Sequence, residues 1–147
     1  MLLLLGLSSC KPTDERVSER FVRDVPEWTT QLFQAPERAV FLRYQTAADP
    51  SDKLRAGLAA LAFVCGRAEP FETPPSIDFR STHVKISQAT WIELFGVPEK
   101  KLRMNAQVNY LEYDLGGEGS TVEPEWTMDV EIYKGFVIRV QMSGQVS

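Results

Sequence analysis

The sequence predicts an α+β fold, with N-terminal helices packed on one face of a small antiparallel β-meander. Three observations predict it. Residues 86–113 start as a short helix with a clear beginning and end, and then become a strand-like run. Upstream of them, apolar residues recur at helical spacing. Downstream, from Trp126 on, apolar and polar residues alternate on both sides of a glycine turn.

The chain opens MLLLLGLSSC. This apolar run is far shorter than the roughly 20 residues that cross a bilayer. It has the character of the apolar core of a secretory signal. Leu7, Ser8, Ser9 and Cys10 resemble a bacterial lipobox, with a Leu three places before the Cys and small residues between. That resemblance implies a diacylglyceryl group on the Cys10 sulfur, cleavage just before it, and acylation of the new amine. The chain departs from the usual pattern in having no Lys or Arg ahead of the apolar run. Lys11 follows the cysteine, which resembles an outer-membrane sorting signal. The organisation expected is a leader at residues 1–9, a lipidated tether and short helix at 10–25, and a single α+β domain at 26–147.

Residues 11–15 are polar and read as the tether. Val17, Phe21 and Val25 recur every four residues, which predicts a helix over 15–25 that stops before Pro26. Trp28, Leu32 and Phe33 offer a further apolar face, with Trp28 packing in the core. Residues 36–45 read as helix, with Pro36 and Glu37 in the first turn, although the run from Ala39 to Tyr44 also suits a strand.

Residues 49–66 give the clearest helix. Asp49 or Ser51 caps it, Pro50 suits the first turn, and Gly66 supplies the turn at its end. Leu54, Leu58, Leu61, Ala62 and Cys65 form one apolar stripe. Pro70, Pro74 and Pro75 make 69–75 a stiff loop, and 77–86 suits a short edge strand. In the next helix Ser87 is the N-cap, Trp91, Leu94 and Phe95 form the apolar face, Gly96 takes the left-handed position and Pro98 prevents resumption. A strand over about 107–115 follows, and then the polar loop from Gly116 to Ser120.

The last two strands have a register that apolar bookkeeping addresses. A two-residue loop, Lys134 and Gly135, would put Arg139 and Gln141 on the apolar face. A three-residue loop of Tyr133, Lys134 and Gly135 pairs Ile132 with Phe136, Val130 with Ile138, Met128 with Val140 and Trp126 with Met142. All apolar residues then share one face, so the longer loop is expected.

Function classes narrow by composition. The chain has 147 residues, 44% apolar and 10% aromatic, enough for a real core. A net charge of −4 argues against nucleic acid as a partner. The basic group Lys100, Lys101 and Arg103 reads as a solvated turn. Of the two cysteines, Cys10 is the expected lipidation site, which leaves Cys65 as a small buried apolar residue rather than half of a disulfide. His83 is the only histidine. With no ligand set in metal spacing around it, no metal site is expected. Glu123 with Glu125, and Asp129 with Glu131, read as solvated carboxylates. No phosphate-loop or G-x-S-x-G pattern is present, so neither a cofactor nor an enzymatic activity is expected.

The order helix, Gly-x-Pro stop, aromatic strand, alternating strand, glycine turn, alternating strand resembles the SmpA/OmlA (BamE-like) lipoprotein family. The matching residues are Ile86, Ser87 and Gln88, then Leu94 to Pro98, then Tyr110 to Tyr113, then Lys134 to Val137, within about 84–140. Residues 30–80 have no counterpart. The resemblance implies an outer-membrane-anchored, non-enzymatic protein facing the periplasm that supports assembly of barrel proteins. The related β-lactamase-inhibitor-like fold implies binding of other proteins. The expected function is therefore a cell-envelope lipoprotein, held to the membrane by lipid at Cys10, that binds a protein partner. The alternative is an immunity or inhibitor protein that blocks a secreted enzyme or toxin.

Overall fold

A computed structural model describes residues 10–29, 33–82, 84–115 and 125–145. The leader at 1–9, Leu32, His83, the 116–120 loop and Glu123 lie outside the described residues. Among the described residues, the chain forms four α-helices followed or accompanied by a five-stranded antiparallel sheet, an α+β fold with most helices N-terminal to the strands. The helices are α1 (Cys10–Asp24), α2 (Ala35–Thr46), α3 (Pro50–Val64) and α4 (Gln88–Phe95). The strands are β1 (Ser76–Asp78), β2 (Lys100–Arg103), β3 (Val108–Asp114), β4 (Glu125–Tyr133) and β5 (Phe136–Gln145), in the sheet order β1-β5-β4-β3-β2.

Local chemistry explains most helix ends. Asp49 caps α3 by accepting from the Ser51 N–H, and Ser87 caps α4 by accepting from the Thr90 N–H at 3.1 Å. Gly96 ends α4 at φ 86°, with its own N–H on the Ile92 carbonyl. Residues 36–45 are helical within α2, where Gln34 and Glu37 form a capping box around Pro36. The expected tether is instead the first turn of α1, which starts at Cys10. Its buried face carries Ser18 and Phe21, while Val17 points to solvent.

Helices α2, α3 and α4 cover one face of the sheet. Leu111, Tyr113, Met128, Val130, Ile132, Val137, Val140 and Met142 are buried beneath them. An aromatic chain ties the layer together. Trp28 meets Phe33 at 4.9 Å, Phe33 meets Phe41 at 6.1 Å, Phe41 meets Phe95 at 5.5 Å and Phe95 stacks on Trp91 at 4.2 Å. Such pairs add about 0.5–1.5 kcal/mol each beyond area burial. The α3 stripe is rotated from the expected one. Leu61 and Ala62 are buried as expected, joined by Ala56, Gly57, Ala60 and Val64, whereas Leu54, Leu58 and Cys65 are only partly buried. Small residues on that side let the helix approach closely: a Cβ on Gly57 would lie 3.0 Å from the Met142 methyl.

The hairpin register corrects the expectation. The loop is two residues long, with Lys134 at φ 48° and Gly135 at φ 86°, so Tyr133 pairs with Phe136 and Ile132 with Val137. Glu131 then pairs with Arg139, Val130 with Val140 and Met128 with Met142, which leaves Ile138 as the extra residue of a bulge. The bulge shifts β5 by one residue. Val137 and Ile138 are both buried, and Arg139 and Gln141 stay on the polar face without a longer loop.

Two other segments differ from expectation. The edge strand at 77–86 is only β1, because the Asp78 carboxylate accepts the Arg80 N–H and starts a 3-10 turn at Phe79–Ser81. Ile86 and Ser87 return to the same edge, where the Val137 N–H donates to the Ile86 carbonyl at 2.9 Å. The basic group Lys100, Lys101 and Arg103 is not a turn but strand β2.

Candidate protein-binding surface

The face of the sheet away from α2 to α4 is a polar lattice. Tyr110, Glu131 and Arg139 lie in one cross-strand row, and Glu112, Asp129 and Gln141 in the next. Arg139 donates to Glu131 Oε1 at 3.1 Å, and Lys100 stands 3.7 Å from Glu112. Asp129 lies directly opposite Glu112. Burial, and then the Glu112 charge, raise the Asp129 carboxyl above the usual carboxylate range. These carboxylates are thus part of an ordered surface.

At the turn end, α1 is fastened to the body. The Arg80 guanidinium is almost fully buried and grips Asp78 with two hydrogen bonds, 2.9 and 2.7 Å, while its third nitrogen donates to Ser18 Oγ at 2.9 Å. The hydrogen bonds from Arg80 hold the Asp78 carboxyl below its ordinary value. Lys85 is buried and donates to the Val22 carbonyl at 2.6 Å, with its ammonium 4.7 Å from the centre of the Phe136 ring. Lys134 pairs with Glu19.

At the opposite edge, β2 is paired, among the described residues, only with β3. All four of its residues are exposed. The Met104 N–H donates to the Val108 carbonyl at 2.9 Å. Antiparallel alternation therefore turns the Leu102 backbone toward β3 and the Lys101 and Arg103 backbone groups outward. Leu102 and Met104 are 49% and 62% exposed, and Val97 in the preceding loop is 79% exposed. An exposed edge of this kind is a template for another chain. Sequence reasoning missed it because a strand exposed at every position has no apolar period to read.

The residues singled out from the sequence are scattered. Cys10 heads α1. Cys65 is a free thiol at the far end of α3, and burial pushes its thiol up, which disfavours the nucleophilic thiolate. Asp129 and Glu131 lie on the polar sheet face, and Trp126 faces the core side over Gly144. A cleft of about 470 Å³ between α2 and α3 is lined by Arg43, Asp52, Arg55 and Pro70, with no histidine or cysteine among its described lining. Among the described residues, no cluster of three or more His, Cys, Asp or Glu side chains is placed to hold a metal. No helix among them is long and apolar enough to cross a membrane. Comparison with protein-family models, curated proteins and solved structures gave no match.

Proposed function

We propose that this protein is a cell-envelope lipoprotein, anchored through lipid on Cys10 and facing the periplasm from the outer membrane, that acts as a non-catalytic protein-binding module. The observation that carries the binding role is the open edge of β2, with outward backbone groups and exposed Leu102 and Met104. The lipobox-like residues Leu7 to Cys10 support the address, and the SmpA/OmlA-like order of elements is consistent with it. Two or more acyl chains would give stable anchoring, since each buried CH₂ contributes about 0.8 kcal/mol.

The test is the mass of the N-terminal peptide from a membrane fraction, compared with Cys10→Ala. A diacyl or triacyl mass on Cys10, lost in the variant together with membrane association, is the expected result. An intact Met1 and a soluble wild-type protein would sink the anchoring. For the binding role, a photo-crosslinking residue in place of Leu102, and separately of Gln141, is expected to yield discrete protein adducts in cells. Adducts from neither position would count against a binding module on this sheet.

A second reading, an inhibitor or immunity protein, is favoured by the Glu112–Asp129 opposition. Two carboxylates held face to face would be relieved by a basic partner. Asp129→Asn is then expected to weaken capture of such an enzyme, and capture indifferent to both carboxylates would exclude it.

A further inference from the structure

We infer that β2 accepts an extended segment of a protein partner as a sixth strand, and that this segment alternates acidic and apolar residues. The inference rests on the binding-module reading above and adds the place, the mode and the chemistry of the partner.

Three features of β2 argue for strand addition. It is the last strand of the sheet order, so its far side has no pairing strand among the described residues. The outward groups, those of Lys101 and Arg103, are spaced as one repeat of an antiparallel or parallel ladder. No proline interrupts β2, and the charges that guard it against unselective pairing, Lys101 and Arg103 on the helix side, are ones a partner of opposite charge would neutralise.

The side chains decide the sequence of the added strand. Leu102 shares the outer face with Tyr110 opposite it, and Lys100 shares that face with Glu112. Lys100 is therefore already near a carboxylate, at 3.7 Å. Lys101 and Arg103 lie on the helix side of the sheet, opposite Leu111 and Asn109. Among the described residues neither forms an ion pair; the Arg103 guanidinium only donates to the Asn105 carbonyl at 3.3 Å. An incoming strand thus meets two cations on one face and the exposed Leu102 and Met104 on the other. Acidic residues at alternate positions complement the first, and Val, Ile or Leu between them cover the second. The local basic edge on a chain of net charge −4 confines this preference to one place. The same charges disfavour a second copy of the chain, since two β2 edges would bring Lys101 and Arg103 against their equivalents.

The test uses the full-length mature chain and two capped nine-residue peptides, one alternating Glu and Val, the other Lys and Val. Lys101→Pro removes an outward N–H while leaving the β2–β3 bonds intact, so the fold is retained. Expected results are measurable affinity for the Glu-Val peptide, a loss of about tenfold or more in Lys101→Pro, and a reversed preference in Lys101→Glu/Arg103→Glu. Amide chemical shifts in β2 confirm the site, and circular dichroism confirms each fold. No binding of the Glu-Val peptide overturns the inference. So does binding unchanged by Lys101→Pro but abolished by charge reversal, which is adsorption rather than strand pairing. Binding of the same basic edge to vesicles of anionic phospholipid in place of the peptide also overturns it. Failure here with persisting crosslinks from Gln141 would leave the binding-module reading standing, whereas loss of both would remove it.

Discussion

Arg139 lies opposite Glu131 across the β4–β5 hairpin because Ile138 has no partner in β4. The bulge lets a tight turn at Lys134 and Gly135 coexist with an apolar inner face and a charged outer one. Deleting Ile138 is therefore expected to keep the Glu131–Arg139 and Ile132–Val137 pairings. It removes a buried side chain, at a cost of about 2–4 kcal/mol by comparison with aliphatic truncations. Cross-strand contacts between Val130 and Val140 in NMR spectra, with urea unfolding, would check both parts. A shifted register would refute the bulge as a local insertion.

Gly135 sits at φ 86° with open space where a Cβ would be. The cost of Gly135→Ala is then a backbone cost alone, about 1–2 kcal/mol. Ser87→Ala removes the α4 cap and is expected to cost about 1 kcal/mol. Denaturant midpoints measure each, and the double variant is expected to depart from the sum, because the Gln88 N–H donates to the Gly135 carbonyl at 2.8 Å and Ser87 bridges Phe136.

Tyr44 is buried, and its hydroxyl has no hydrogen-bond partner among the described residues. Burial drives its ionisation far above the ordinary value. Tyr44→Phe removes an unsatisfied oxygen and keeps the ring contact with Phe95, so stability is expected to stay level or rise by up to about 1 kcal/mol. Tyr44→Ala is expected to lose about 3–5 kcal/mol. A destabilised Tyr44→Phe would mean that the hydroxyl is bonded in solution.

The Asp78–Arg80 pair predicts an acid-sensitive attachment of α1. The Asp78 carboxyl is depressed in the folded protein, chiefly by its hydrogen bonds from Arg80. Its contribution is therefore fully present above the unfolded value, about 3.9, and is lost as pH falls through the lower folded value. Asp78 is about two-fifths exposed, so the loss in Asp78→Asn at neutral pH is expected to be modest, about 1–2 kcal/mol. The gap between wild type and variant should narrow as pH falls below the unfolded value and close once pH passes the depressed folded value. A gap independent of pH would refute the charge-based account.

Where a side chain carries its own local reason, the sequence was legible. Ser87, Gly96 and Asp49 mark helix ends through bonds to atoms within a few residues, and they sit where expected. The rotation of α3 was not legible, because its buried side is chosen by Met142 and Tyr44, which come from distant parts of the chain. The Ile138 bulge escaped because apolar bookkeeping assumes an unbroken ladder. The candidate edge at β2 escaped for the reason that makes it interesting: among the described residues no strand pairs with its outer side.

The attachment of α1 has a geometric consequence. Fifteen helical residues rise about 22 Å, and the helix is bonded to the body through Ser18, Glu19 and Val22. If Cys10 carries lipid, the domain is mounted on a bracket rather than a cord. Its height above the bilayer and the bearing of β2 would be set within a narrow cone. A partner strand would then have to arrive at a particular distance from the membrane plane.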